Sequence, residues 1–267
     1  VTVTDNQAPT VTAAAGATAN TATGLCSASV AVVNATISDN CGTPTLSWTL
    51  SGSTTGSGSG QVGTQSFNKG VTTITYTVTD ASGNTATAST TVTVNDNQAP
   101  SVVPASNATV STDLNSCVAT YAVTAATTSD NCTVASLSYV LSGATVQSST
   151  SGQVGTRTFN KGVTTITYTV TDGSGNTSTA VQTVTVNDTQ SPTVTPASNI
   201  SVNITSACTR SVAVPNATIS DNCATKTLTY ALTGATTLAS TSGQVGTRTF
   251  NKGVTTITYT LTDSSNN

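Results

Sequence analysis

The chain has 267 residues, of which only 6% are charged, against about a quarter in an average globular protein. Its formal net charge of -3 provides no electrostatic attraction to nucleic acid or to an anionic membrane. The absence of His excludes Ser-His and Cys-His catalytic pairs and His-ligated zinc. No apolar run approaches the roughly 18 residues of a membrane-spanning helix. We therefore expect a protein that is not an enzyme and does not insert into a membrane within this segment.

The sequence consists of three similar repeats, which is the signature of an array of structural units. The run VTTITYTVTDASGN at residues 71–84 returns at 163–176 and, with substitutions, at 254–267. Short junctions that end in proline, reading TDNQAP, NDNQAP and NDTQSP, separate the units. The predicted organisation is the last strand of a preceding repeat at 1–4, repeat 1 at 5–95, repeat 2 at 96–187 and repeat 3, without its last strand, at 188–267.

Each repeat reads as a series of short strands in which apolar and polar residues alternate. In chain order, the first three predicted strands are one at 10–13, a second (107–112 in repeat 2) and one with Val30 and Val32. A strand with Leu46, Trp48 and Leu50 follows, and then a surface turn at 51–60. The remaining strands are one that ends at Phe67, the strand with Ile74, Tyr76 and Val78, and a last strand with Val92 and Val94. Seven such strands in about 90 residues predict an all-β chain of tandem immunoglobulin-like β-sandwich domains forming an elongated rod.

Six cysteines occur as one pair per repeat. They lack the close CxxC-type spacing that a zinc site needs. Pairing within each repeat is the economical interpretation, and closing a 15-residue loop in this way contributes about 3 kcal/mol in the chain-entropy model. Disulfides also favour an oxidising compartment, outside the cell or at its surface. The predicted disulfides are Cys26–Cys41, Cys117–Cys132 and Cys208–Cys223.

The order of the motifs resembles that of the hyalin repeat (HYR) domain over essentially the whole chain. The ordered set comprises a first Cys, the tripeptide DNC, the run FNKGVTTITYTVTD, the tripeptide SGN and the segment TVTVND before a proline. Repeat 3 departs from it with DTQSP at its junction and with Asn266 in place of the SGN glycine. The resemblance implies immunoglobulin-like modules of extracellular proteins that act in cell adhesion. Long, nearly identical, Thr-rich copies are most similar to the very large repetitive adhesins of bacterial surfaces.

Nine of the ten Asp residues recur at three places per repeat: the junction, the DNC motif and the TDxSGN motif. In an immunoglobulin-like sandwich these places lie at one end of the domain. Calcium takes six to eight oxygen ligands from such carboxylates, amides and carbonyls. The junction also resembles the DxNDNAP segment between cadherin domains, where calcium stiffens the joint. The predicted calcium ligands are Asp5, Asp39, Asp80, Asn84, Asp96, Asp130, Asp172, Asn176, Asp188, Asp221, Asp263 and Asn267, with Asn40, Asn131 and Asn222 as further amide groups.

Two other interpretations of the acidic residues stay open. Asp and Asn commonly cap their own turns, which alone explains the DN and SGN motifs. Alternatively, Lys69, Lys161 or Lys252 of the FNKG turn pairs with the carboxylates of the next repeat.

The leading functional hypothesis is a structural segment of an extracellular adhesin or surface filament, whose partners are neighbouring repeats or subunits of the same filament. The alternatives are an array of carbohydrate- or protein-binding modules and a non-catalytic appendage of a secreted enzyme. The strand at 1–4 could complete the last repeat of a neighbouring subunit, although a longer parent chain explains the ends more simply.

Overall fold

The computed structural model describes residues 1–224 and 226–267, and these residues form 25 strands and no α-helix. The predominance of Thr and Val explains this, because β-branched side chains fit the pleated, half-buried surface of a sheet. No helix that could cross a membrane occurs in this described part of the chain. The predicted all-β fold is confirmed.

Repeat 1 is a β-sandwich of nine strands. A five-stranded sheet in the order β2-β9-β8-β5-β6 packs against two smaller pairs, β1-β4 and β3-β7. The β2–β9 pair is parallel and the other pairs are antiparallel. The strands are β1 (Thr10–Thr12), β2 (Ala17–Asn20), β3 (Ser27–Ala31), β4 (Thr36–Ser38), β5 (Thr45–Gly52), β6 (Gly56–Ser59), β7 (Thr64–Asn68), β8 (Gly70–Thr79) and β9 (Thr85–Asn95).

Repeat 2 has the same topology. Its strands are β10 (Ser101–Val103), β11 (Ala108–Ser111), β12 (Val118–Ala122), β13 (Thr127–Ser129), β14 (Val134–Gly143), β15 (Gln147–Ser151), β16 (Thr156–Asn160), β17 (Gly162–Asp172) and β18 (Thr177–Asn187). Its large sheet has the order β11-β18-β17-β14-β15.

Repeat 3 has a three-stranded sheet in the order β23-β22-β25 and two smaller pairs, β19-β21 and β20-β24. Its strands are β19 (Thr193–Thr195), β20 (Thr209–Val214), β21 (Thr218–Ser220), β22 (Lys226–Gly234), β23 (Leu238–Ser242), β24 (Gly246–Asn251) and β25 (Thr255–Asp263).

The core of each sandwich is built on the recurring run. In β8 the side chains of Ile74, Tyr76 and Val78 are fully buried, and the intervening Thr side chains point to the other face of the sheet. Leu50 and Leu46 of β5 lie opposite Ile74 and Val78 and are also buried. The sequence-based assignment of these residues to the core is correct.

One predicted turn is a strand. Residues 56–59 of the Gly/Ser-rich run form β6, which pairs with β5 and places Gly58 opposite Trp48. A Cβ atom on Gly58 would lie 2.4 Å from Cζ2 of Trp48, so the indole ring occupies the space of a side chain. The glycines therefore allow the indole ring to pack against β6, which their tendency to form turns does not indicate. β6 and the short β4 raise the number of strands in repeat 1 above the predicted seven.

The chain divides into two compact units. Unit 1 comprises Val1–Val103, Ala126–Ser138 and Tyr168–Ala180, and unit 2 comprises Pro104–Ala125, Tyr139–Thr167 and Val181–Asn267. Each unit thus contains one complete junction between repeats. The repeat boundaries stay sequence-based predictions. So does the assignment of residues 1–4 to a preceding repeat, since no strand forms there and Val1 and Val3 are exposed.

Candidate inter-repeat joints

Successive repeats meet at the short segment that follows the last strand of each one. We call residues 96–100 and the side chains around them the first joint, and residues 188–192 with their surroundings the second joint. The first joint lies within unit 1 and the second within unit 2. Each begins with an Asp that follows the last strand directly and ends with a Pro, which fixes its own φ and holds the preceding residue extended.

In each joint a Gln side chain holds the loop that precedes the first Cys of the preceding repeat. In the first joint, Nε2 of Gln98 donates hydrogen bonds to Thr21 Oγ1 (2.9 Å) and to the carbonyl of Ala22 (3.0 Å). Its Oε1 accepts a hydrogen bond from the backbone N–H of Gly24 (2.8 Å). Gln190 makes the corresponding contacts with Thr112, Asp113 and Asn115. Sequence reasoning missed this residue, although Gln recurs two residues after the Asp of every junction, at 7, 98 and 190.

The Asn of the DNC motif connects two repeats. In the first joint, Nδ2 of Asn131 donates hydrogen bonds to the carbonyl of Leu25 (2.9 Å) and to Oδ1 of Asp96 (3.2 Å). Oδ2 of Asp130 accepts the backbone N–H of Cys132 (2.9 Å), which shapes the loop. The same bonds form in the second joint. There Asn222 donates to the carbonyl of Ser116 and to Asp188, and Asp221 accepts the backbone N–H of Cys223. The Asn side chain therefore acts as a hydrogen-bond donor between repeats, where the sequence had indicated an amide group for calcium.

The Asp of the TDxSGN motif is bound by its own loop. Oδ1 of Asp172 accepts the backbone N–H groups of Ser174 and Asn176 (both 2.8 Å), and Oδ2 accepts Nδ2 of Asn176 (2.8 Å). The same Nδ2 donates to the carbonyl of Asp96 (3.1 Å), which attaches the loop to the joint. Equivalent bonds connect Asp80 and Asn84 to Asp5, and Asp263 and Asn267 to Asp188. Turn capping is thus one role of this motif.

These bonds keep the loop carboxylates ionised. The hydrogen bond from the Asn84 side chain lowers the pKa of Asp80 below its usual value, against the opposing effect of burial. At Asp172 and Asp263, burial raises the pKa, but the side-chain and backbone hydrogen bonds from their loops outweigh it and the net pKa is lowered. The carboxylates of Asp80, Asp172 and Asp263 therefore stay negatively charged although they are buried.

The structure brings the recurring Asp residues together. Ligand-type atoms lie within 4.8 Å of one another in three groups, which are Asp5, Asp39 and Asp80; Asp96, Asp130 and Cys132; and Asp188, Asp221 and Asp263. The clustering expected from the sequence is found in the first and third of these groups, whereas the second group contains Cys132, whose sulfur is in a disulfide, and lacks Asp172. Whether these groups bind calcium stays a prediction.

Lysine from the preceding repeat reaches the buried junction carboxylate. Nζ of Lys69 lies 3.6 Å from Oδ2 of Asp96, whose side chain is fully buried, and Lys161 makes the same pair with Asp188. The backbone N–H of Lys69 also donates to the carbonyl of Cys26 (3.0 Å), which places the ammonium beside the first Cys. The alternative interpretation of the acidic residues as ion-pair partners of Lys thus describes these two contacts.

Several carboxylate oxygens in these groups are buried without a hydrogen-bond partner. They are Oδ1 of Asp39, Asp130 and Asp221, and Oδ2 of Asp96 and Asp188. A buried anionic oxygen needs a compensating cation or a donor. One ammonium group beside two clustered carboxylates in the first joint, and beside three in the second joint, leaves each joint with excess negative charge. The all-carboxylate groups of Asp5, Asp39 and Asp80 and of Asp188, Asp221 and Asp263 therefore fit a calcium ion, whereas the first-joint group supplies only the carboxylates of Asp96 and Asp130.

The disulfides connect different repeats, so the predicted pairing within each repeat is wrong. Cys26 is bonded to Cys132, and Cys117 is bonded to Cys223, with Cα–Cα distances of 4.7 and 4.9 Å. The first Cys of one repeat thus joins the second Cys of the next. Cys41 and Cys208 are free and exposed, so neither Cys26–Cys41 nor Cys208–Cys223 forms.

The length of the sandwich explains this correction. Cys26 lies beside Lys69 at the start of β8, whereas the loop of Cys41 lies beside Asp80 at the end of that strand. A strand of 10 residues is roughly 30 Å long. A disulfide needs Cα atoms about 4.4–6.8 Å apart, so the two cysteines of one repeat cannot meet. Although only 15 residues separate the two cysteines of a repeat in sequence, the chain crosses from one end of the domain to the other between them.

The joints and the sandwich agree with a known family. The model of the HYR domain matches residues 4–94. Residues 4–94 are an HYR domain. Repeat 2 has the same strands in the same order, repeat 3 has seven of them, and the same joint residues recur in the second joint. The recognition made from the motifs is therefore confirmed over residues 4–94, which places this part of the chain in an extracellular, adhesion-type class.

Solved structures of other proteins show only distant likeness. The fibronectin(III)-like modules of Clostridium thermocellum CbhA are 16% identical (67% of this chain, 94% of that chain, TM-score 0.29). Mouse cadherin-23 EC22-24 is 12% identical (97% and 94%, TM-score 0.38). Drosophila N-cadherin EC1-4 is 13% identical (68% and 50%, TM-score 0.34). The chain matches no curated protein. These likenesses carry no argument about what the HYR repeats do.

Proposed function

We propose that this chain is a non-catalytic structural segment of an extracellular adhesin or surface filament, in which each HYR repeat is covalently bonded to the next. The carrying observation is the pair of disulfides that join successive repeats with the same sequence separation of 106. Disulfides of this kind persist in oxidising surroundings, which supports a place outside the cell or at its surface.

The two disulfides overlap along the chain, and this determines how the segment responds to tension. The loop from Cys26 to Cys132 and the loop from Cys117 to Cys223 share residues 117–132. A pulling force therefore passes from the first disulfide through this shared segment into the second disulfide. The cores of repeats 1 and 2 lie largely outside that path, whereas the core of repeat 3 lies in the segment that follows Cys223. The arrangement suits a filament that bears load, because a domain that unfolds inside a disulfide loop adds little to the length of the filament.

Single-molecule extension of the whole chain, held by its two ends, tests the proposal. After reduction, the unfolded chain should extend to about 900 Å, at about 3.5 Å per residue. In the oxidised state it should extend to only about 300 Å, because both loops are bypassed. A variant with Cys26→Ser and Cys132→Ser retains the second disulfide alone and should reach an intermediate length of about 600 Å. An oxidised length near 800 Å would instead correspond to pairing within the repeats and would overturn the proposal.

We further propose that calcium adds to the stiffness of the joints. The junction, DNC and TDxSGN carboxylates would hold the ion, for example Asp188, Asp221 and Asp263 in the second joint. The buried oxygens without partners and the single ammonium in each joint support this assignment. A bound calcium supplies positive charge between carboxylates that repel one another. Affinity of the extracellular class, with Kd of about 10⁻⁴ to 10⁻³ M, is expected.

Calorimetric titration of the whole oxidised chain with calcium checks this part. We expect heat of binding and a higher Tm at millimolar calcium, both reduced by Asp221→Asn. Asp113→Asn is the matched control, because Asp113 lies outside the three groups and should leave binding unchanged. Absence of heat and of any rise in Tm would leave Lys69 and Lys161 as the only cations of the joints and would remove calcium from the proposal.

A further inference from the structure

Each joint holds a Lys and an Asp close together without a hydrogen bond between them. Nζ of Lys69 lies 3.6 Å from Oδ2 of Asp96, and Nζ of Lys161 lies 3.6 Å from Oδ2 of Asp188. Both Asp side chains are fully buried, and neither Oδ2 has a hydrogen-bond partner. Nζ of Lys161 instead donates to Oγ of Ser264 (2.9 Å). A buried carboxylate oxygen that faces an amine so closely, and makes no hydrogen bond to it, needs an explanation beyond an ordinary ion pair.

The other oxygen of the junction Asp is held by several donors. Oδ1 of Asp96 accepts hydrogen bonds from Thr21 Oγ1 (3.3 Å), from the backbone N–H of Gln98 (3.2 Å) and from Nδ2 of Asn131 (3.2 Å). Two of these donors recur in the second joint, as the backbone N–H of Gln190 (3.2 Å) and Nδ2 of Asn222 (3.0 Å) at Oδ1 of Asp188. Donors aimed at one carboxyl oxygen stabilise the negative charge that develops there when a nucleophile adds to the carboxyl carbon.

A second carboxylate lies beside each Lys–Asp pair. One carboxylate oxygen of Asp130 lies within 4.8 Å of one of Asp96, and Asp221 is equally close to Asp188. Oδ1 of Asp130 and Oδ1 of Asp221 are buried without a partner, whereas Oδ2 of each is bound by its own loop. A carboxylate in this position is suited to take up a proton and to return it to a departing oxygen.

We propose that each joint forms an amide bond between these two side chains, Lys69 with Asp96 and Lys161 with Asp188. Reacting groups held in contact have an effective concentration of about 10⁵–10⁸ M, which favours condensation. Burial of the carboxyl group also limits the access of water to the amide. The inference rests on the proposed function of covalently joined repeats, and it adds to the disulfides a bond that reduction does not break.

The reaction needs neither an oxidant nor a reductant. A first proton passes from Nζ of Lys69 to Oδ2 of Asp96, and the neutral amine then attacks Cγ of Asp96. Negative charge develops on Oδ1, where the three donors stabilise it. A second proton passes from Nζ through Asp130 to Oδ2, the bond from Cγ to Oδ2 breaks, and Oδ2 leaves as water. One ammonium and one carboxylate thus become one amide and one water.

The amides are compatible with the other features of the joints. Condensation removes one positive and one negative charge, so the excess negative charge of each joint is unchanged. Both amides lie inside the disulfide loops, so the extended length of the oxidised chain is unchanged as well. In the reduced chain each amide bypasses the residues between its two partners. It should therefore take about 90 Å from the roughly 900 Å that a reduced chain without amides reaches.

The mass of the intact chain tests the inference directly. Under reducing and denaturing conditions, the wild-type chain should be lighter than its sequence by two water molecules. Peptide mapping should recover two branched peptides, one that joins Lys69 to Asp96 and one that joins Lys161 to Asp188. A reduced mass equal to that of the unmodified sequence would overturn the proposal.

Substitution of a lysine assigns the lost water to a joint. Lys69→Arg keeps the positive charge, but its guanidinium should not condense with the carboxyl group, so this variant should be heavier by one water than a chain with both amides. Lys226→Arg is the matched control and should retain both losses, because Lys226 lies outside the two pairs. If Lys69→Arg still lacked two water molecules, the lost water would come from elsewhere in the chain, which would contradict the proposal.

A third variant tests the neighbouring carboxylate. Asp130→Asn should slow amide formation in the first joint by about 10²–10⁴-fold, the usual contribution of general acid–base catalysis. Mass spectra taken at intervals after cell-free synthesis measure the rate, with the second joint of the same molecule as internal reference. The disulfide Cys26–Cys132 should still form, which separates this effect from misfolding. An unchanged rate would contradict the role assigned to Asp130.

Peptide mapping of the oxidised chain distinguishes failure of this inference from failure of the proposed function. If Cys26–Cys132 and Cys117–Cys223 are present and the reduced chain has lost no water, the amides are absent and the proposed function stands. If mapping returns disulfides within single repeats, the proposed function fails, whatever the mass of the reduced chain.

Discussion

At the scale of single residues, positions that face one another differ together between repeats. Repeat 1 pairs Trp48 with Gly58, whereas repeat 3 pairs Tyr230 with Thr241 at the corresponding place. Gln65 in repeat 1 is replaced by Arg248, whose guanidinium donates to the hydroxyl of Tyr230 (2.9 Å). The larger indole fills the space over a glycine, and the smaller phenol leaves room for a side chain and needs a polar partner.

We predict that Gly58→Thr destabilises repeat 1 by about 1–3 kcal/mol, because the new side chain overlaps the indole of Trp48. Trp48→Tyr combined with Gly58→Thr should recover much of this loss. Urea denaturation of the four members of this double-mutant cycle gives the coupling energy. Purely additive effects would show that the two positions do not share one packing site.

The free thiol of Cys41 lies in an unfavourable electrostatic environment. Asp5 raises its pKa above the usual value through charge repulsion, with smaller effects from Asp39 and Asp80. At pH 7 iodoacetamide should therefore alkylate Cys41 slowly, and the rate should rise as salt increases from about 0.01 to about 1 M, where the Debye length falls from about 30 to about 3 Å. Mass spectrometry measures the rate, with Cys208 as internal reference. A variant with Asp5→Asn should react faster and show a weaker salt dependence, since only Asp39 and Asp80 then repel the thiolate.

At the scale of elements, the loop between β8 and β9 holds the junction. Nδ2 of Asn84 binds both Oδ2 of Asp80 and the carbonyl of Asp5, so one amide couples the loop to the entry of the chain. A carboxyl whose pKa is lowered in the folded state stabilises that state above its unfolded pKa of about 3.9. This stability is lost as the pH falls through the folded pKa of Asp80.

We therefore predict that acid weakens these loops below about pH 4. Asn84→Ala should lower the Tm at pH 7, and its difference from the wild type should shrink toward pH 2.5, since a neutral carboxyl binds the amide less strongly. Thermal unfolding followed by circular dichroism at several pH values provides the measurement. Asn34→Ala, at an exposed position, is the control and should show no such convergence. A difference that is constant with pH would contradict the assigned role of Asn84.

At the scale of the whole molecule, the disulfides close loops that are longer than any single repeat. Each bond spans 106 residues, for which the chain-entropy model gives about 4–5 kcal/mol, although the overlap of the loops makes the two contributions non-additive. Because each bond joins two repeats, its loss should weaken the joint as well as the domains on either side.

Removing one bond should therefore lower the Tm more than removing both free thiols. We predict that Cys117→Ser with Cys223→Ser lowers the Tm of the whole chain clearly, by an amount equivalent to about 2–5 kcal/mol. Cys41→Ser with Cys208→Ser should leave the Tm of the isolated chain unchanged. Scanning calorimetry under non-reducing conditions compares the two variants. An equal decrease in both would indicate that Cys41 and Cys208 are also paired within the molecule.

The sequence by itself was sufficient for the repeat, the all-β fold, the buried alternation of Ile74, Tyr76 and Val78, and the meeting of the recurring Asp residues in two of the three groups. These features depend on local periodicity and on the order of the strands, both of which are visible in one dimension. The strand Gly56–Ser59 was not predicted from the sequence. Its glycines indicated a turn, whereas in the structure they leave space for the side chain of Trp48.

Only the tertiary structure decided which cysteines are partners. For Cys26 and for Cys117, the second Cys of the same repeat is 15 positions away and the second Cys of the next repeat is 106 positions away. The nearer one lies at the far end of the same sandwich, roughly 30 Å away along β8, whereas the distant one lies across the joint. Proximity along the chain and proximity in space are thus reversed, because each sandwich separates its own cysteines and each joint brings together those of its neighbours.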